Sequence, residues 1–211
     1  MSNLAVASTK KGFAKIAKRC EIAKASGMDW AWVDTCCINK SSSAELTESI
    51  NSMWRWYQEA EICYPHLSDF VMLLAVNGRL SEEGAPGVDF EDCRWFTRGW
   101  TLQELLTVYG TEESLRKQIS EITRMSSHVL EDCSRLDRIP IASRMSWAAE
   151  RHTAQEEDRA CSLFGIFDVK IPLIYGEESK AFYHLQVAIL QDFTDLSMFA
   201  WNSETTYVGL N

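Results

Sequence analysis

Three aromatics, two arginines and one carboxylate fall within the run Arg94-Trp95-Phe96-Thr97-Arg98-Gly99-Trp100-Thr101-Leu102-Gln103-Glu104-Leu105-Leu106. With a helix beginning near Trp100, Glu104 stands one turn on and shares its face. A carboxylate beside a wide aromatic surface is partly desolvated, which is one way to prepare an acid for chemistry. The same pattern also fits an amphipathic helix. In that case Trp95, Leu102, Leu105 and Leu106 enter the core, while Glu104 and the arginines stay in solvent. The pattern alone leaves both readings standing.

A second candidate is Asp34, at the end of the aromatic and branched run Asp29-Trp30-Ala31-Trp32-Val33-Asp34. That composition predicts a short strand. In α/β folds the C-terminal ends of strands open onto the ligand crevice, so Asp34 would line its mouth. Equally, Asp34 would hold the following turn through side-chain to backbone bonds.

The seven cysteines are scattered, and neither a CxxC pair nor a zinc-type Cys/His spacing occurs. Cys36 and Cys37 are adjacent, a placement that seldom closes a disulfide and supplies half a metal site, so both are expected to be buried small residues. The histidines His66, His128, His152 and His184 lie far apart and are expected to be ordinary surface or helix residues, with no metal and no bound cofactor.

The elements that must position these residues begin with a helix over 12–25, ended by Gly27. Ser42 and Glu45 form a capping box for a helix over 43–61, with Leu46, Ile50, Met53, Trp54 and Tyr57 as its apolar stripe. Residues 62–67 read as a second strand, which makes a strand–helix–strand crossover of the parallel kind. Residues 70–76 are apolar and fit a strand or a helix extension; 77–92 read as a surface loop; 107–109 fit a very short strand.

The second half reads as helical. Helices are expected over 114–125, from Pro140 to Arg151, from a Thr153/Glu156 capping box to Phe167, and over 179–193. An extended or turn segment is expected over 171–176. The expected fold class is therefore α/β: a small, mainly parallel β-sheet flanked by helices, with a mostly helical C-terminal half. Residues 1–11 read as a loose tail, 12–201 as a single domain and 202–211 as a polar tail.

Bulk properties exclude several classes. The chain has 211 residues with 46% hydrophobic and 24% charged, values of an ordinary globular protein. A formal net charge of −9, with no Lys/Arg run beyond Lys10-Lys11, argues against nucleic-acid or anionic-membrane partners. The start lacks the apolar core of a secretory signal, and no apolar run nears the ~20 residues needed to span a bilayer. These features predict a reduced, cytoplasmic setting.

Four motifs in order, 33–43, 94–106, 157–168 and 171–177, resemble the fungal heterokaryon incompatibility (HET) domain family, and the resemblance covers roughly Gly12 to Trp201. The family implies non-self recognition between hyphae and programmed cell death, with self-association or other death-signalling proteins as partners. Two departures stand out: nothing before Lys15 matches the family's opening apolar strand, and Thr107 to Glu112 is shorter than its usual counterpart. Trp100-x-x-x-Glu104-Leu105 is also similar to the segment of TIR domains whose glutamate serves NAD cleavage. That similarity implies a TIR-like sheet, NAD as substrate, Glu104 on the ribose, Trp100 shaping the pocket and Arg98 or Arg94 on the pyrophosphate. The competing classes are a non-catalytic interaction module and an inactive family member.

Overall fold

Helix α1, Phe13–Ala25, closes on Gly27, whose positive φ of 77° lets Gly27 N–H reach the Lys24 carbonyl (3.1 Å) and Met28 N–H the Ala23 carbonyl (2.9 Å). This is the paired-bond ending that glycine favours. A single helical turn, α2, follows at Asp34–Cys37, and the long helix α3 runs over Ser43–Glu59. Ser42 caps α3 by accepting the Glu45 N–H (3.3 Å), while the Glu45 carboxylate reaches back to Asn39 N–H (3.0 Å). The computed structural model describes residues 8–10, 12–69, 89–107 and 113–199. The expectations for 70–88, 108–112 and the tail from residue 200 lie outside the described residues. The chain divides into two compact units, Met1–Ser49 and Ile50–Asn211, and the division falls inside α3.

The expected parallel sheet, TIR-like or otherwise, is corrected by the structure. Among the described residues there is no β-strand, only one isolated parallel bridge between Arg98 and His152. Residues 29–33 are irregular, with Trp30 91% exposed, and Asp34 opens α2 instead of ending a strand. Residues 62–67 run without helix or ladder, and Ile62 is 44% exposed. Pro65 supplies no N–H there, which disfavours a ladder. Branched and aromatic composition reports fitness for a half-buried surface, and it does not by itself create a pairing partner.

The second unit is built from helices and turns. After the 3₁₀ turns Phe90–Asp92 and Arg94–Thr97 come α4 (Thr101–Leu106), α5 (Glu113–Thr123), α6 (Ser127–Glu131), a 3₁₀ stretch at Cys133–Arg138, α7 (Ile141–Ser146), α8 (Asp158–Cys161) and α9 (Lys180–Asp192). Two of these helices are shorter than the sequence predicts. Pro140 is the cap of α7, which stops at Ser146, and α8 gives way to turns over 162–168. The Thr153 hydroxyl donates to the Gln155 carbonyl (2.6 Å), so the expected capping box is not made. Apolar residues at helical spacing are nonetheless inside: Leu102, Leu105, Leu106, Ile141, Met145, Leu163, Phe164, Phe167, Leu185 and Ile189 are buried, while Phe182 is half-buried.

Three close fits hold this unit. A Cβ on Gly165 would overlap the Cβ and ring of Trp54, so α3 and the 162–168 turns approach as closely as only glycine permits. Buried Glu157 accepts the N–H groups of Gly176 (2.7 Å) and Glu178 (3.1 Å), which pins the 171–178 segment. Arg144, 3% exposed, donates to the Ile166 carbonyl (3.0 Å) and lies over the Phe167 ring (4.8 Å).

Candidate functional site

The segment 94–106 folds as a 3₁₀ turn, a kink at Arg98-Gly99, and α4 with Trp100 as its cap. Thr101 locks the kink: its buried hydroxyl lies within hydrogen-bond reach of the Trp95 and Arg98 carbonyls. Arg151, 6% exposed, holds the same corner from below in sequence. Its Nε donates to the Trp147 carbonyl (3.1 Å), and its Nη1 to the Arg98 carbonyl (2.9 Å) and the Thr101 hydroxyl (3.2 Å). Burial pulls its pKa down to about 10, so the guanidinium stays charged at neutral pH. The bridge completes the corner, with Gly99 N–H on the His152 carbonyl (2.9 Å) and His152 N–H on the Thr97 carbonyl (2.7 Å).

Glu104 is half-buried on α4. Its Oε1 accepts the Tyr57 hydroxyl of α3 (3.3 Å), and its Oε2 accepts the Trp95 indole N–H (3.0 Å). The aromatic partner that grips the carboxylate is thus Trp95, while Trp100 lies half-buried at the helix start.

A cleft of about 380 Å³ opens at this corner, lined by His66, Ser68, Arg94, Trp95, Thr97, Arg98 and His152. That volume falls within the range of small-molecule sites. Trp95 is the residue that both lines the cleft and touches Glu104; Glu104 and Trp100 are not among the lining residues. Arg94 is buttressed by Asp69, whose Oδ2 accepts both its backbone N–H (2.9 Å) and its Nε (3.2 Å). The Arg94 backbone N–H, followed by its guanidinium, holds the Asp69 carboxyl below its ordinary range. Arg98 is exposed, and its guanidinium makes no hydrogen bond or ion pair among the described residues.

Asp34 belongs to the Met1–Ser49 unit, where it starts α2 and accepts the Thr35 hydroxyl (3.2 Å). Cys36 and Cys37, expected inside, are both exposed, with their sulfurs 3.9 Å apart. Desolvation and the neighbouring thiol push Cys36 up from its ordinary value. Among the described residues no group of three or more His, Cys, Asp or Glu side chains could hold a metal ion, and no helix is long and apolar enough to cross a membrane.

The structure therefore brings together Arg94, Arg98 and, through Trp95, Glu104. It adds residues that the sequence did not single out for chemistry: Tyr57, His66, Asp69, Arg151 and His152. Tyr57 reads as one more member of an apolar stripe. The histidines are too far from the central segment in sequence for spacing to signal them. The adjacency of Arg151 and His152 to the capping-type residue Thr153 was the one local sign of a corner.

Comparison with known proteins bears on identity. A family model described as heterokaryon incompatibility protein (HET) matches residues 8–71. The chain is 41% identical over 199 residues to the vegetative incompatibility protein HET-E-1 of Podospora anserina, a match that covers 87% of this chain and 14% of that relative. No solved structure matches. The motifs at 33–43, 94–106, 157–168 and 171–177 thus sit in a chain that belongs to the heterokaryon incompatibility (HET) family.

Proposed function

We propose that this chain acts in fungal heterokaryon incompatibility, in the cytoplasm, as a domain that turns non-self recognition into a death signal, and that its chemical step is cleavage of the nicotinamide–ribose bond of NAD at Glu104. The observation that carries the chemical reading is the fixed Glu104 carboxylate, gripped by Tyr57 and by a tryptophan that also walls a ligand-sized cleft. Breaking the C1′–N bond sends both electrons to nicotinamide, which leaves as a neutral ring and needs no strong acid. Positive charge builds on the ribose, and a carboxylate stabilises it. Water then adds to C1′ and gives up a proton. For Glu104 to meet the sugar, a ribose hydroxyl takes the place of the Trp95 indole on Oε2. Arg98 and Arg94 are available to the pyrophosphate, and Trp100 shapes the site from the start of α4.

The test is nicotinamide release from NAD by purified protein across a concentration series, with Glu104→Gln as control. Release that requires Glu104 supports the reading. Absence of release from folded wild-type protein, at concentrations where it self-associates, sinks the chemical step.

A second reading, a non-catalytic self-association or protein-interaction module, is favoured by the apolar groups left in solvent on the same unit: Ile174 (55% exposed), Tyr183 (62%) and Leu190 (41%). It expects Glu104→Gln to leave signalling intact while Tyr183→Ser abolishes it.

A further inference from the structure

The chain as a whole is acidic, with a formal net charge of −9, yet one cleft gathers two arginines and two histidines. Five of its lining residues carry side-chain N–H donors, of which the Trp95 indole donates to Glu104, and two more, Ser68 and Thr97, present hydroxyls. The Arg94 charge is met by Asp69 (3.2 Å), which also fixes the side chain's place. Arg98 and His152 make no ion pair among the described residues. The cleft's unpaired arginine charge among the described residues is therefore that of Arg98, beside His152.

Those two residues are also held unusually well for exposed side chains. Their backbones are joined by the parallel bridge, and the Arg98 carbonyl is anchored by Arg151 and Thr101. The backbone atoms do the structural work, which leaves the Arg98 guanidinium and the His152 imidazole outside the described hydrogen bonds. A donor array that is fixed at its base and uncommitted at its tip suits a charge-bearing ligand more than it suits stability.

We propose that this cleft is an anion site for the diphosphate of a nucleoside diphosphate moiety, with Arg98 and His152 on one phosphate, and Arg94, steadied by Asp69, together with His66 on the other. Planar guanidinium groups meet phosphate oxygens in pairs, and imidazole N–H groups add single bonds. The volume of about 380 Å³ exceeds what the diphosphate alone requires, so part of the nucleoside enters with it. The inference deepens the reading above and rests on it for the identity of the whole ligand; the anion site itself requires no turnover.

The test is calorimetric titration of the full chain with ADP, AMP, adenosine and inorganic pyrophosphate, for wild type, Arg98→Ala, His152→Ala and, as a charge control outside the cleft, Lys180→Ala. Neither cleft variant removes a described side-chain hydrogen bond, and unchanged circular dichroism and melting temperature confirm folding. The expected result is binding in the order ADP above AMP, pyrophosphate detectable and adenosine absent. A loss of about tenfold or more in affinity is expected for Arg98→Ala, a smaller loss for His152→Ala and none for Lys180→Ala. Adenosine binding as well as ADP, or ADP binding equally to wild type and Arg98→Ala, overturns the proposal, as does the absence of ADP and pyrophosphate binding to folded wild type. Glu104→Gln separates the two claims, since it must keep ADP binding while nicotinamide release is lost. Binding without any release by wild type leaves the anion site in place and removes the cleavage step.

Discussion

The indole N–H of Trp95 donates to Oε2 of Glu104 at 3.0 Å, nine residues away across the Arg98-Gly99 corner. A second donor, the Tyr57 hydroxyl, meets Oε1. Trp95→Phe keeps an aromatic ring but removes the donor from a half-buried carboxylate, and this is expected to cost about 1–2 kcal/mol in urea unfolding. Tyr57→Phe at the longer bond is expected to cost less. If Trp95→Phe is neutral, the bond has no structural weight.

Arg151 has no carboxylate partner among the described residues; it serves three oxygen acceptors of the corner. Arg151→Met leaves the Trp147 carbonyl without its guanidinium partner and the Arg98 carbonyl with the Thr101 hydroxyl alone, with an expected loss of about 2–4 kcal/mol. Arg151→Lys recovers charge but cannot span all three acceptors, so denaturant midpoints should fall in the order wild type, Lys, Met.

Gly165→Ala places a methyl against the Cβ of Trp54. Overpacking of this kind costs about 1–3 kcal/mol. Because the nearest obstruction is the Trp54 Cβ and not the ring tip, Gly165→Ala combined with Trp54→Leu should recover little of the loss. A thermal melt of the double variant decides the point.

Among the described residues, Asp69, Asp195 and Glu157 are held below their ordinary range chiefly by backbone N–H groups. In Asp69 the first cause is the Arg94 N–H, in Asp195 the Ile141 N–H, and in Glu157 its own backbone followed by Gly176 and Glu178. Each has a lower pKa folded than unfolded. The stability they contribute is thus full above their ordinary values of 3.8 and 4.5, and it is lost as pH falls through the depressed ones. Melting temperature should hold from neutrality to about pH 5 and fall steeply below about pH 4. Asp195→Asn, which cannot accept both the Ile141 N–H (2.9 Å) and the Ser197 N–H (2.8 Å), should melt lower at neutral pH and show a shallower acid limb.

Thiol access follows burial. Cys20, Cys36 and Cys37 are exposed, while Cys93, Cys133 and Cys161 are buried, and desolvation pushes Cys161 up to about 12. Brief alkylation of the native protein, read by peptide mass, should label the first three before any of the last three. Rapid labelling of Cys161 would contradict the packing of α8.

Helices were legible where the apolar period persisted. The bounds of α1, α3, α5 and α9 fall within two residues of expectation because propensity, spacing and caps agree there. The same periodicity overran at 140–151 and 153–167. Leu163, Phe164 and Phe167 are buried at helical spacing, but turns carry them, ending with Asp168 at φ 52°. Apolar spacing shows which side chains go inside; it does not show that the backbone stays helical between them. The strands failed for a different reason. Asp29–Asp34 and Ile62–Leu67 have the composition of strands, yet a strand exists only with a partner, and a partner is a non-local fact. At the site, Arg94, Arg98 and Glu104 could be singled out because they share one short run. His66, Asp69 and His152 reach the cleft from other parts of the chain, and no local pattern announces that.

The Arg98–His152 bridge also sets an order of events. The Arg151 bond to the Arg98 carbonyl spans 53 positions, and the bridge beside it closes a segment of similar length. Such closures carry their entropy cost before their contacts repay it, so the local helices between them can form earlier than the corner. Opening of the corner alone would part Arg98 from His152 while leaving α5, α6 and α7 intact. A ligand that needs both residues then binds the closed corner and not the open one. It must slow amide hydrogen exchange at Gly99 and His152 far more than at the helices, which makes those two amides a reporter of occupancy.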